Sequence, residues 1–232
     1  MKTNNYKIYV KNHYNFIDNF IKKKRLEIAN FVNKKIKEYK IKEVLDVGTT
    51  NDEVFESSNV IINNLKNINK YKSISDQIIT LKLFSKKYNK SITSKFSNKE
   101  IKELSSDLVI SNATIEHVGS KKNQTKMLKN VISLTKKIFI IITPNKYYPI
   151  DFHTKIPFIH WLPKKIYRKL LKVLNLNFFS LEKNLNLLSD NDLIMILNNF
   201  DKQIVYKIHY IKLLGLRSNL IVLGTKIKKY NK

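Results

Sequence analysis

The chain has 232 residues, 43% of them hydrophobic, which is enough for a sizeable core in one domain. It has no cysteine, which excludes a disulfide framework, a thiolate metal site and a cysteine nucleophile, and is compatible with a reducing cytoplasm. A formal charge of +26 points first to a polyanion, but the arginines are only Arg25, Arg168 and Arg217, so the bidentate forks that read guanine or grip phosphate are nearly absent and no specific nucleic-acid partner is expected.

Residues 15–39 place Phe16, Phe20, Ile28, Phe31, Val32, Ile36 and Tyr39 at helical intervals with lysines between them, which predicts an amphipathic helix. From Glu43 the pattern changes to short apolar runs separated by polar helical stretches, the sequence form of a parallel sheet flanked by helices. Strands are predicted at 43–47, 108–111, 137–143, 204–210 and 220–225, with weaker signals at 71–75 and 91–93. After the turn at Gly119-Ser120, Met127, Leu128, Val131, Ile132 and Leu134 form one helix face, and Ser189-Asp190 caps a helix carrying Leu193, Ile194, Ile196 and Leu197. The run at 138–142 is the longest apolar one and is far too short to span a bilayer, and the N-terminus lacks the apolar core of a signal peptide, so a soluble or peripheral protein is expected. The last two strands are joined only by 211–219, too short for a helical crossover, and therefore form an antiparallel hairpin.

A mostly parallel sheet that ends in such a hairpin resembles the architecture of class I S-adenosylmethionine-dependent methyltransferases, and three stretches carry the resemblance further. Val44-Leu45-Asp46-Val47-Gly48-Thr49 matches the first-strand motif, in which an acid and a tight turn let backbone approach the methionine part of the cofactor. Thr50 and Asp52 stand where further glycines are common. Read without the family, Gly48 supplies a positive φ to a turn and Asp46 caps backbone amides. Asp107-Leu108-Val109-Ile110-Ser111-Asn112-Ala113-Thr114-Ile115-Glu116-His117 resembles the fourth-strand motif of the type 11 branch. Its small Ser111, Asn112 and Ala113 let the carboxyl end of the strand lie beside a ligand. The segment Thr143-Pro144-Asn145, followed by Phe152-His153-Thr154 and His160-Trp161-Leu162-Pro163, resembles the fifth strand and substrate-covering segment of that branch, whose members often have a degenerate first loop like this one.

The resemblance implies S-adenosyl-L-methionine as cofactor, held by Asp46, Gly48, Thr49, Ser111, Asn112 and Ala113, with Asp76 after the second strand at the ribose hydroxyls. As an alternative Asp76 is a helix N-cap. Beyond the third strand, Ser91 to Lys95 offers hydroxyls where the family often has an acid. Methyl transfer from a sulfonium is an in-line displacement, so a base is needed only for an acceptor that holds its proton. His117 and His153 are the candidate catalytic groups, His160 the weaker one, and each also reads as a hydrogen-bonded packing residue. Asp151 and His153 could approach a metal, but two residues make no site and none is expected.

The segment 156–174 joins aromatic and aliphatic residues to a basic helix opened by Pro163. It suits peripheral contact with an anionic membrane or a lipid-linked acceptor, and equally a lid packed on the domain with its lysines in solvent. The expected chain is thus one α/β Rossmann-like methyltransferase domain with a mostly parallel seven-stranded sheet. Residues 1–40 are a helical extension, 41–146 the cofactor-binding core, 147–188 a covering insertion and 189–232 the last helix and hairpin. The implied activity is methylation of a small molecule, a sugar or glycolipid precursor ahead of a quinone or lipid. It would take place in the cytoplasm or at the inner face of a membrane. A non-catalytic member of the fold and a lysine-rich module for nucleic acid or membrane surfaces are the alternatives.

Overall fold

The computed structural model describes residues 15–51 and 59–227, with only the main chain of 15–20; Phe16, Phe20 and Asp52 therefore lie outside what is described of side chains. In chain order the elements are α1 (Asn15–Glu38), β1 (Glu43–Val47), α2 (Val60–Asn63), β2 (Lys70–Ser75), β3 (Lys86–Asn89), α3 (Asn98–Leu104), β4 (Ser106–Asn112), α4 (Lys121–Leu134), β5 (Thr135–Pro144), α5 (Lys164–Val173), α6 (Asp190–Leu197), β6 (Ile204–Leu213) and β7 (Leu216–Lys226). One seven-stranded sheet has the order β3-β2-β1-β4-β5-β7-β6. β7 alone runs against its neighbours.

Alternate residues of the central strands feed two separate cores, as a strand buried on both faces requires. Val44, Leu108, Ile110, Ile138, Ile140 and Ile142 pack with Ile28, Val32 and Ile36 of α1 and with Ile61 and Ile62 of α2. Leu45, Val47, Val109, Phe139 and Ile141 point the other way, onto Met127, Leu128 and Val131 of α4 and Leu193 and Ile196 of α6. Ser120 caps α4 through the Asn123 amide, and Ser189 caps α6 in a reciprocal box with Asp192, so both predicted starts hold.

Two expectations change. The strand expected at 91–93 lies at Lys86–Asn89, while Ile92 is the buried anchor of a turn closed by the Ser94 amide donating to the Ser91 carbonyl at 3.0 Å. An outer strand half in solvent needs no apolar run, and its two lysines discourage pairing with another sheet. The connector expected at 211–219 shrinks to Leu214-Gly215, both at positive φ (52° and 78°), the backbone a two-residue hairpin turn demands.

A separate constraint joins β5 to β7. Gly224 lies opposite Phe139, and a Cβ there would fall 2.1 Å from the Cζ of a ring that is wholly buried. Gly224→Ala should therefore cost about 1–3 kcal/mol in urea unfolding through overpacking. Pairing it with Phe139→Leu should recover part of that loss, and full additivity of the two would contradict the contact.

Candidate active site

The site is built at the carboxyl ends of β1, β2, β4 and β5, where an open α/β sheet leaves a crevice. Gly48 closes β1 at φ +88°, and its position has no room for a side chain: a Cβ would meet the Thr114 Oγ1 at 2.1 Å. The same Thr114 hydroxyl, with that of Ser111, donates to the Val47 carbonyl, each at 3.1 Å. The Gly48 amide donates to Ile74 of β2 at 2.9 Å. Ala113, at φ +51°, makes the turn out of β4 with a small residue in the left-handed region.

Beside this junction Asp46 is buried, and its carboxylate accepts the Thr49 hydroxyl at 2.6 Å. Burial pushes the Asp46 carboxyl up to about 6, with the Thr49 bond pulling the other way. The Ser75 hydroxyl at the end of β2 donates to the Thr49 carbonyl at 2.7 Å, and Asn51 accepts from the Thr80 amide at 2.8 Å, so the loop after β1 is pinned to the one after β2. Asp76 is exposed at that edge, and no helix follows it before β3, which removes its reading as an N-cap.

The turn out of β4 runs directly into a 3₁₀ turn, Ile115–His117, that carries Glu116 and His117. Glu116 is wholly buried; its Oε2 accepts the Thr143 hydroxyl at 3.0 Å, while Oε1 has no hydrogen-bond partner. His117 Nδ1 is 2.6 Å from the Asn184 carbonyl, and its Nε2 is 3.1 Å from His153 Nε2. His153 Nδ1 is 2.9 Å from Asp151 Oδ1, and its Nε2 is 3.7 Å from Glu116 Oε1. The other oxygen of Asp151 takes the hydroxyls of Thr154 at 2.8 Å and Tyr167 at 3.3 Å. Burial would raise the Asp151 carboxyl, but these donors and His153 outweigh it and hold it well below the usual range. Burial would likewise lower His153, yet the Asp151 and Glu116 carboxylates prevail over burial and Arg25 and hold it above the ordinary histidine value. His117 is lowered, first by burial and then by His153.

The fold thus brings His117 and His153 together and leaves His160 elsewhere, buried with its Nε2 at 2.8 Å from the Tyr148 carbonyl as a packing residue. Three contributors escaped the sequence reading: Thr143, Asp151 as a His153 anchor, and Asn184 through its backbone. Asp-x-His at 151–153 was the visible hint, but nothing in the spacing joined it to Glu116-His117. Asn145, the last residue of the Thr-Pro-Asn signal, fixes β5 to β7 by donating from its backbone amide to Ser218 and from its side-chain amide to the Arg217 carbonyl, both at 2.9 Å.

No family model matches the sequence, and no curated protein matches it. Solved structures do. The chain is similar to a magnesium protoporphyrin IX methyltransferase from Synechocystis PCC 6803 with bound SAH, at TM-score 0.55 and 11% identity over 95% of this chain and 92% of that one. It is similar to the N-methyltransferase NodS from Bradyrhizobium japonicum WM9 in complex with S-adenosyl-l-homocysteine, at TM-score 0.52 and 7% identity over 90% and 88%. It also matches the small RNA methyltransferase HEN1, at TM-score 0.57 and 13% identity over 88% of this chain but 25% of that one. With the strand order and the reversed β7, these likenesses establish the fold as that of class I S-adenosylmethionine-dependent methyltransferases.

Proposed function

We propose that the protein is a methyltransferase that uses S-adenosyl-L-methionine to methylate a small molecule. The observation that carries this reading is the junction of Gly48 with Thr114 beside the buried acid Asp46, at the carboxyl edge where this fold takes its ligand. Asp46 faces the cationic methionine end of the cofactor, Gly48, Thr49, Ser111, Asn112 and Ala113 supply the close backbone approach, and exposed Asp76 takes the ribose hydroxyls. His117 and His153 are the acceptor-side groups, and the insertion after β5 covers the acceptor. A sugar- or lipid-linked acceptor remains the preferred class, on family association.

One observation favours a membrane-borne acceptor. Phe158, Trp161, Leu162, Ile166, Val173 and Leu174 are all exposed, while Tyr167 and Leu171 turn inward onto Phe179 and Leu185. Lys165, Lys169 and Lys172 lie between the exposed apolar positions. Such a face suits the interface of an anionic bilayer. Among the described residues no helix is long and apolar enough to cross a membrane. Vesicles containing an anionic lipid should sediment the protein in a salt-dependent manner, and Ile166→Glu with Val173→Glu should reduce this at least about fivefold; equal sedimentation of both proteins would remove the membrane reading.

Calorimetric titration with S-adenosylhomocysteine should show saturable binding that Asp46→Asn and Gly48→Ala each weaken at least about tenfold, the second by forcing a side chain into Thr114. No binding by the folded chain would contradict the cofactor assignment. The cationic end of the ligand favours ionised Asp46, so affinity should be flat above pH 7 and fall as pH drops below about 6. Asp46→Asn should lose that step.

Stability should move the other way. A rise from 3.8 to about 6 makes ionising Asp46 cost on the order of 3 kcal/mol in the folded chain. The raised value means that the parent is relatively more stable at low pH and loses that advantage as pH rises through 6. Asp46→Asn should therefore unfold at higher denaturant than the parent at pH 8, with the gap closing toward pH 4; an equal or lower midpoint at pH 8 would contradict the buried-carboxylate account.

A further inference from the structure

With both imidazoles neutral, His117, His153 and Glu116 present three acceptor atoms to one another with no donor among them. The Asn184 carbonyl can only accept, so the proton of neutral His117 sits on Nδ1 and its Nε2 is a bare lone pair. Asp151 is an ionised acceptor already taking the Thr154 and Tyr167 hydroxyls, so neutral His153 likewise carries its proton on Nδ1 and a lone pair on Nε2. These two lone pairs face each other at 3.1 Å. The third acceptor, Glu116 Oε1, is wholly buried, unpartnered and 3.7 Å from the His153 nitrogen. A cation belongs between them, either a proton on His153 or a metal ion.

We propose that Glu116, His117 and His153 form a binding site for a divalent first-row transition-metal ion. Their donor atoms all lie within 4.8 Å of one another. Bonds of about 2.0–2.2 Å to nitrogen and oxygen set donor separations of roughly 3–3.5 Å around a tetrahedral or octahedral ion. The observed 3.1 Å falls in that range and 3.7 Å just beyond it, with the third pair within 4.8 Å, so the Glu116 and histidine side chains must close in by up to about an ångström to complete the set. Each ligand is also held from behind as metal ligands are: His117 by the Asn184 carbonyl, His153 by Asp151, and Glu116 by the Thr143 hydroxyl. Two carboxylates, Asp151 and Glu116, act on His153 against the guanidinium of Arg25, a balance that favours a cation at the cluster. Two imidazoles among three ligands favour zinc or cobalt over magnesium or calcium, which prefer all-oxygen shells. Three protein ligands leave at least one position for an exogenous oxygen. The site stands independently of cofactor binding.

The competing occupant is a proton shared between the two imidazoles, and the test separates them. Tag-free full-length protein, dialysed against chelator, is titrated calorimetrically with zinc, manganese and magnesium chlorides, and with cobalt chloride followed by visible absorption. The site predicts one equivalent of zinc or cobalt per chain, a cobalt d–d band, and magnesium binding at least about tenfold weaker. His153→Gln and Glu116→Gln should each weaken uptake at least about tenfold, and Asp151→Asn by roughly 10–100-fold. Should Glu116→Gln not fold, His153→Gln, checked by circular dichroism, carries the test. No saturable uptake by folded protein, uptake unchanged in the folded variants, or magnesium binding as tightly as zinc would overturn the proposal. S-adenosylhomocysteine titrated into the same metal-free protein reports the cofactor reading separately, so either can fail without the other.

Discussion

The contact of Gly48 with Thr114 is the constraint on which the rest of the site depends. It brings the ends of β1 and β4 to van der Waals distance, and the Thr114 and Ser111 hydroxyls then close on the Val47 carbonyl. One consequence is a fixed, buried carboxylate at Asp46. The other is the direction of the chain leaving β4: after Thr114 it can only turn, and the turn delivers Glu116 and His117 to the end of β5, where Thr143 receives Glu116. The proposed cofactor edge and the histidine cluster are therefore two ends of one short segment, 111–117. Displacing it at either end displaces both.

Both ends keep charge in a buried place, and they do so differently. Asp46 has one strong donor, Thr49, so burial dominates and its carboxyl is pushed up to about 6. Asp151 has a histidine, two hydroxyls and backbone amides, so its charge is retained despite equal burial. An incompletely satisfied acid is costly for folding and suits a ligand that brings a positive charge. The two acids thus differ: Asp46 is left short of donors, and Asp151 anchors a histidine.

Much of this was legible in the sequence. The apolar run ending in Asp-x-Gly, the small-residue turn before Glu-His, and a hairpin too short for a crossover marked the ends of β1 and β4 and the antiparallel hairpin, because each is a local signal, whereas the contact of Gly48 with Thr114 joins residues far apart in the chain. The outer strand β3 was misplaced because an edge half in solvent tolerates Lys-Lys-Tyr-Asn, while β-branched residues five positions later looked more strand-like than the turn they anchor. The meeting of His153 with His117 was illegible for another reason. It requires the insertion after β5 to fold back over the sheet, through left-handed Lys155 and Phe158 and through packing of Tyr167 and Leu171 on Phe179, none of which spacing reveals.

The central claim is that the β1–β4 junction is the cofactor site. Hydrogen–deuterium exchange with and without S-adenosylhomocysteine measures it most directly, because it reports where the ligand sits rather than whether it binds. The account predicts slowed exchange concentrated in 46–51 and 111–117, and loss of that protection in Gly48→Ala. Protection confined to other segments, or the same protection in Gly48→Ala, would contradict it.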